Sequence, residues 1–105
     1  MNILDEGRYR VWVDKHSIGD DIVLLVGGGE KPHIGGIVVC KPNEPAYILS
    51  LPKHRDVEAL ELIASIVSKK YNTTCTAIGG IHIDNATKDE IKRILDNCRK
   101  LAELI

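Results

Sequence analysis

Two glycine- and histidine-bearing stretches hold most of the residues able to do chemistry in this chain. The first is Gly27-Gly28-Gly29-Glu30-Lys31-Pro32-His33-Ile34-Gly35-Gly36, five glycines in ten residues around a Pro-His pair. The second is Gly80-Ile81-His82-Ile83-Asp84. Consecutive glycines expose backbone N–H groups that cradle a phosphate or a carboxylate, and Lys31 adds a positive charge beside them. No Gly-Lys-Ser/Thr follows and no helix is predicted next, so neither a P-loop nor a dinucleotide fingerprint is present. A flexible hairpin loop is the plain structural alternative. Lys53-His54-Arg55-Asp56 precedes a predicted helix and forms a second candidate anion site, against the alternative of a solvated connection.

Of the four histidines, His16 falls in a predicted surface turn. His33, His54 and His82 fall at or near strand ends, where a sheet can gather them with Arg55 and Asp84 nearby. Three imidazoles and a water would resemble a catalytic zinc site, but no pair has the short spacing that marks one. Hydrogen bonding to a polar ligand, or a structural role, fits these histidines better than metal binding. No serine sits in a Gly-x-Ser-x-Gly elbow, and Cys40, Cys75 and Cys98 lack an adjacent base or helix start. The residues point to binding more than to self-sufficient catalysis.

The elements that must position these groups follow from periodicity. Polar and apolar residues alternate from Gly7 to Asp14, as in a half-buried strand, and Lys15 to Asp21 reads as a turn. Ile22-Val23-Leu24-Leu25-Val26 has no polar break, which predicts a strand covered on both faces. Ile37 to Cys40 and Tyr47 to Leu51 give two more strands, and the four read as an antiparallel meander. From Asp56 the period changes: Val57, Leu60, Ile63, Ala64 and Val67 predict an amphipathic helix ending near Tyr71-Asn72. Thr74 to Asp84 returns to β-type residues, and Thr87-Lys88-Asp89-Glu90 has capping-box spacing before a final helix. The predicted fold is α+β, order ββββαβα, a mainly antiparallel sheet with two helices. Ile34-Gly35-Gly36-Ile37 and Ile78-Gly79-Gly80-Ile81 repeat one tetrapeptide, which predicts bulges or close backbone approach, with a tightly crossing helix as the alternative.

At 105 residues the chain reads as a single domain, 1–105. It is 44% hydrophobic and 28% charged, which excludes a disordered segment as its main state. Fourteen basic against fifteen acidic residues, with no basic run, argue against nucleic-acid binding. The first residues lack signal-peptide character and no apolar stretch spans a membrane, so a cytoplasmic location is expected. Three cysteines without close pairing read as buried free thiols in a reducing compartment.

The run from Gly28 to Gly36, together with Gly80-Ile81-His82-Ile83-Asp84, resembles the LpdD-like proteins, small partners of gallate-type decarboxylases described as prenylated-flavin chaperones. The resemblance spans most of the chain and rests on Pro-His-Ile-Gly and Gly-Ile-His-Ile-Asp. It implies a two-layer α/β sandwich similar to proteasome-assembly chaperones, and a homodimer. It further implies binding of prenylated FMN and its delivery to a UbiD-type decarboxylase. On that reading the glycine loop and His33 face the cofactor, and His33, Gly35, His82 and Asp84 are the positions carried over, with Gly36 beside them. The flavin phosphate would suit Gly28 and Gly29, or Arg55, with Lys31 in support. Tyr9, Trp12, Tyr47 and Tyr71 are the aromatic candidates to stack on the flavin ring. Two other readings stand beside it: an assembly chaperone without a small-molecule ligand, and a small histidine-dependent enzyme, with or without a metal.

Overall fold

A computed structural model describes residues 1–52 and 56–105. Six strands form one sheet, β1 (Asn2–Leu4), β2 (Val11–Ile18), β3 (Asp21–Gly29), β4 (Gly36–Cys40), β5 (Tyr47–Ser50) and β6 (Cys75–His82). Two helices accompany it, α1 (Val57–Tyr71) and α2 (Lys88–Leu104). The α+β class and the two helices agree with the expected fold. The sheet is mixed: its order is β1-β2-β3-β6-β4-β5, with β6 parallel to β3 and antiparallel to β4. The expected meander is therefore overturned, because β6 enters from late in the chain and separates β3 from β4.

Side-chain alternation explains why the strands lie as they do. Val11, Val13, Ile22, Leu24, Val26, Val38, Cys40, Cys75 and Ala77 share one face by register and form one core cluster with the inner residues of both helices. Helix α1 lies over β4 and β6 and supplies Leu60, Ile63, Ala64 and Val67 to that cluster. Helix α2 lies over β2 and supplies Ile94, Cys98, Leu101 and Ala102. With both helices on one side, β3 is not covered on both faces as its unbroken apolar run suggested: Leu25 is 39% exposed. Across the uncovered face Leu25, Ile78, Ile37 and Leu49 make one row through four strands.

Other local differences have simple causes. Gly7–Tyr9 is a 3₁₀ turn and not strand, since Gly7 takes φ +62°. Strand β2 instead runs on to Ile18, and the hairpin turn is only Gly19-Asp20, with Gly19 at φ +60°. His16 thus stands on an exposed strand, bonded to Asp14 at 3.0 Å, and not in a turn. Helix α1 ends where Asn72 turns left-handed at φ 51°. Helix α2 has the predicted capping box: Thr87 Oγ1 accepts from the Glu90 N–H and the Glu90 carboxylate accepts from the Thr87 N–H. The three thiols are buried, and burial pushes Cys75 and Cys98 up to about 12 and Cys40 upward as well. They are packing groups and poor nucleophiles.

Asp5 fastens the N-terminal segment to α2. Its carboxylate accepts from Arg93 Nε at 2.9 Å and Asn97 Nδ2 at 3.0 Å. The Arg93 hydrogen bond above all, then Asn97 and the Glu6 N–H, hold its pKa at about 2, below an ordinary 3.8. A depressed folded-state pKa stabilises the fold above the unfolded value and loses that contribution as pH falls through the folded one. Asp5→Asn should therefore flatten the dependence of the unfolding midpoint on pH between 3.8 and about 2. Parallel curves for variant and parent across that window would show that Asp5 is not the titrating group.

Candidate functional site

The first glycine run extends a strand. Strand β3 continues through Gly29, where Gly28 takes φ +156° and Gly29 φ +69°. The Gly29 N–H donates to the Arg10 carbonyl at 2.8 Å and the Glu30 N–H to the His82 carbonyl at 2.7 Å. A Cβ at Gly28 would lie 2.3 Å from the Arg10 oxygen, and one at Gly29 2.2 Å from the His82 oxygen. These glycines let β3 approach its neighbours closely. Of the donors around the expected anion cradle at Gly28 and Gly29, the N–H groups of Gly29 and Glu30 serve the sheet.

The repeated Ile-Gly-Gly-Ile tetrapeptides meet each other. Gly36 pairs with Gly79 across β4 and β6, and the Gly35 N–H donates to the Gly79 carbonyl at 2.8 Å. Into the space left by the missing side chains goes the carboxylate of Asp56. A Cβ at Gly35 would sit 1.9 Å from Asp56 Oδ2, and one at Gly80 3.0 Å from its Cγ. Asp56 stands at the start of α1 but makes no side-chain cap. Its Oδ1 accepts from the Ile81 N–H at 2.9 Å, and its Oδ2 lies 3.1 Å from His33 Nε2. Close approach and a tightly crossing helix thus both hold at the tetrapeptides, since Asp56 and Val57 at the start of α1 fill the room beside Gly35 and Gly36.

Both histidines of the two motifs are paired with an aspartate. His33 Nδ1 faces the Lys31 carbonyl at 3.1 Å, and a carbonyl only accepts, so Nδ1 carries hydrogen. The 3.1 Å contact from Nε2 to Asp56 then needs one proton between them. His82 Nε2 donates to Asp84 Oδ1 at 2.7 Å, and that bond, ahead of the imidazole's charge, lowers the Asp84 pKa. The two rings meet edge to face with centroids 5.8 Å apart. Asp84 is placed in turn by its N–H, which donates to Glu30, and by Arg8, which donates to its carbonyl. Arg8 also lies 3.3 Å from Glu90, whose pKa is lowered first by the Thr87 N–H and next by the Tyr9 hydroxyl.

Beside this cluster a cleft of about 390 Å³ opens between the N-terminal ends of α1 and α2. Ala59, Ile81, Ile83, Ile91, Ile94 and Leu95 make its walls. Asp56, Glu58 and His82 supply its polar groups.

The family model described as prenylated flavin chaperone LpdD-like domain matches residues 5–105. The chain belongs to the LpdD-like family. It is also 26% identical over 92 residues to Protein LpdD of Lactiplantibacillus plantarum, an alignment covering 83% of this chain and 68% of that protein. The match takes in every element from the Asp5 staple to the end of α2, so both glycine-histidine motifs and the cleft lie inside the LpdD-like domain.

Within this LpdD-like domain the structure gathers His33, Gly35, Gly36, His82 and Asp84 at one place, with Lys31 on the connecting loop. His54 and Arg55 lie outside the described residues, as does the Lys53 end of the second anion site. None of Tyr9, Trp12, Tyr47 or Tyr71 lines the cleft. Among the described residues no group of three His, Cys, Asp or Glu is arranged to hold a metal ion, and no helix is long and apolar enough to cross a membrane. Sequence reading named Asp56 only as the end of the Lys53-His54-Arg55-Asp56 stretch, not as the partner of His33 and Ile81. Its position reads as an ordinary helix start, and the only signal for it was the pair of Gly-Gly repeats that make its room.

Proposed function

We infer that this chain is a non-catalytic chaperone that binds prenylated FMN and delivers it to a UbiD-type decarboxylase. The observation that carries the reading is a cleft of about 390 Å³, with mixed apolar and polar walls and two histidine-aspartate pairs beside it. The walls suit a fused-ring system with an added hydrocarbon ring, and the imidazoles suit its polar edge. Among the described residues His82 Nδ1 has no hydrogen-bond partner and is the natural group to meet that edge. The thiols are buried with raised pKa, so capture of the cargo is noncovalent and release remains reversible. A delivery protein needs only moderate affinity, because very tight binding would oppose transfer.

The chain acts on this reading as a homodimer. The row Leu25, Ile78, Ile37 and Leu49 carries no charge, Asp14 continuing it on β2, and so offers an apolar strip to a second copy related by a twofold axis. The same open face favours the second reading, an assembly chaperone that holds a partner subunit and no small molecule.

Native mass spectrometry of protein co-expressed with a prenylated-flavin synthase tests both. A dimer carrying flavin mass is expected. His33→Ala and His82→Ala should each weaken flavin binding about tenfold, as loss of one ligand hydrogen bond does, with little change in the unfolding midpoint for the more exposed His82. A ligand-free dimer that stays unchanged when cofactor is added would leave the assembly reading in its place.

A further inference from the structure

We propose that Glu30, braced by Arg8, is a positioning residue of the site: it clamps the segment after β6 so that the His82 imidazole meets the cargo already oriented. The cargo in this role rests on the flavin-chaperone reading; the clamp does not.

His82 ends β6 and lines the cleft. Its side chain is 43% exposed, so packing leaves the ring room to turn. The 2.7 Å bond from Nε2 to Asp84 fixes it, provided that Asp84 is itself held. Asp84 lies between β6 and α2, outside both elements, and Asn85 beside it turns left-handed at φ 53°. Side chains from elsewhere hold its main chain. Glu30 Oε1 accepts the Asp84 N–H at 3.1 Å, and Arg8 donates to the Asp84 carbonyl at 3.0 Å. Glu30 grips the segment a second time through its own N–H, which donates to the His82 carbonyl at 2.7 Å. Gly29, at φ +69°, makes this grip possible by bringing β3 so close that a Cβ there would strike the His82 oxygen. Arg8 also stands 3.8 Å from Glu30 and 3.3 Å from Glu90, so a cation offsets the carboxylates that the clamp brings together.

The side chains of Arg8 and Glu30 are 38% and 39% exposed, and ion pairs at such exposure add little to stability. Their effect lies in orientation: an imidazole fixed before binding loses less freedom when the ligand arrives. The two glycine-histidine motifs thus form one device, the first supplying the clamp and the second the ring that it holds.

Glu30→Ala and Glu30→Gln test this in two ways. The first needs no ligand: the Asp84 carboxyl is titrated by carbon NMR. In the parent its pKa lies below the ordinary 3.8, through the His82 hydrogen bond first and the His82 charge next, with Lys31 and Arg8 contributing less. Removing the Glu30 carboxylate takes away a neighbouring negative charge, which on its own lowers the Asp84 pKa further. Loss of the clamp frees Asp84 from His82 and raises it towards 3.8. A rise is expected in Glu30→Ala and none in Glu30→Gln, whose amide oxygen still accepts the Asp84 N–H. A fall or no change in Glu30→Ala, or an equal rise in both variants, overturns the proposal. The second is anaerobic titration calorimetry with prenylated FMN. Glu30→Ala should weaken binding about three- to tenfold, no more than His82→Ala does, and less than about twofold when His82 is already alanine. Equal weakening in both backgrounds means that Glu30 does not act through His82, which overturns the proposal too. If the parent binds no flavin, the chaperone reading fails, and the Asp84 titration still decides whether Glu30 sets His82.

Discussion

Gly79→Ala should abolish cooperative folding. Gly79 sits in the central strand β6 at φ +141°, and an added Cβ would lie 1.7 Å from the Val26 carbonyl oxygen of β3. Both the conformation and the clash act against alanine, and the obstacle is backbone in the next strand, which cannot rotate aside. Relief requires separating β3 from β6, the pair that joins the two halves of the sheet. A cost above about 4 kcal/mol is expected, comparable to the whole stability of a marginal domain. Gly19→Ala is the matched control: Gly19 also has positive φ, +60°, but nothing lies within 4 Å of its added Cβ. That change should cost only about 1–2 kcal/mol of backbone strain. Equal urea midpoints for the two variants would show that the β3–β6 approach is not as tight as described.

Asp56→Ala should be the most damaging single change at the site. The carboxylate is 8% exposed and serves both the Ile81 N–H and His33 Nε2. Removing it leaves a part-buried backbone donor unsatisfied and opens space that Gly35 and Gly80 cannot fill. An unsatisfied buried group costs about 1–3 kcal/mol, which for a domain of this size lowers Tm by roughly 5–20 °C. Asp56→Asn keeps an oxygen for Ile81 and offers an amide N–H to a neutral His33, so it should recover much of the loss. Flavin affinity should follow the same order, parent over Asn over Ala, because His33 loses its anchor stepwise. Thermal unfolding of the two variants decides it: an alanine variant as stable as the asparagine one would mean that Ile81 and His33 do not depend on the acid.

Much of this architecture was legible because it is written in periodicity. The stripe of Leu60, Ile63, Ala64 and Val67 and the box at Thr87 and Glu90 are local signals, and both appear as helix faces and caps. Strand pairing is a different kind of information. Nothing within Cys75–His82 states that it lies between β3 and β4, since an apolar strand beside either neighbour would look the same. Coverage misled for a related reason: Val23 and Leu25 are as apolar as Ile22 and Leu24, yet only the latter pair meets a helix. The histidines were found by residue type, but their aspartates were less visible. Asp84 lies two residues from His82 and was named; Asp56 is 23 residues from His33 and reads as a helix start. Which carbonyl the Gly29 and Glu30 N–H groups meet was not legible either, because glycine content suggests backbone conformation and not hydrogen-bond partners.

The late entry of β6 also sets the order in which the protein can be made. A ribosome delivers β1 through β5 and α1 before Cys75 emerges, and until then β3 and β4 each present an open edge with no strand between them. The growing chain therefore holds two half-sheets that cannot join, however well each is formed. Closure awaits β6, and the step that seals the sheet also brings His82 to His33 and Asp84 to His82. Translation that stops short of this strand yields sticky edges and no site, so the nascent chain of a chaperone is itself the kind of polypeptide that needs guarding.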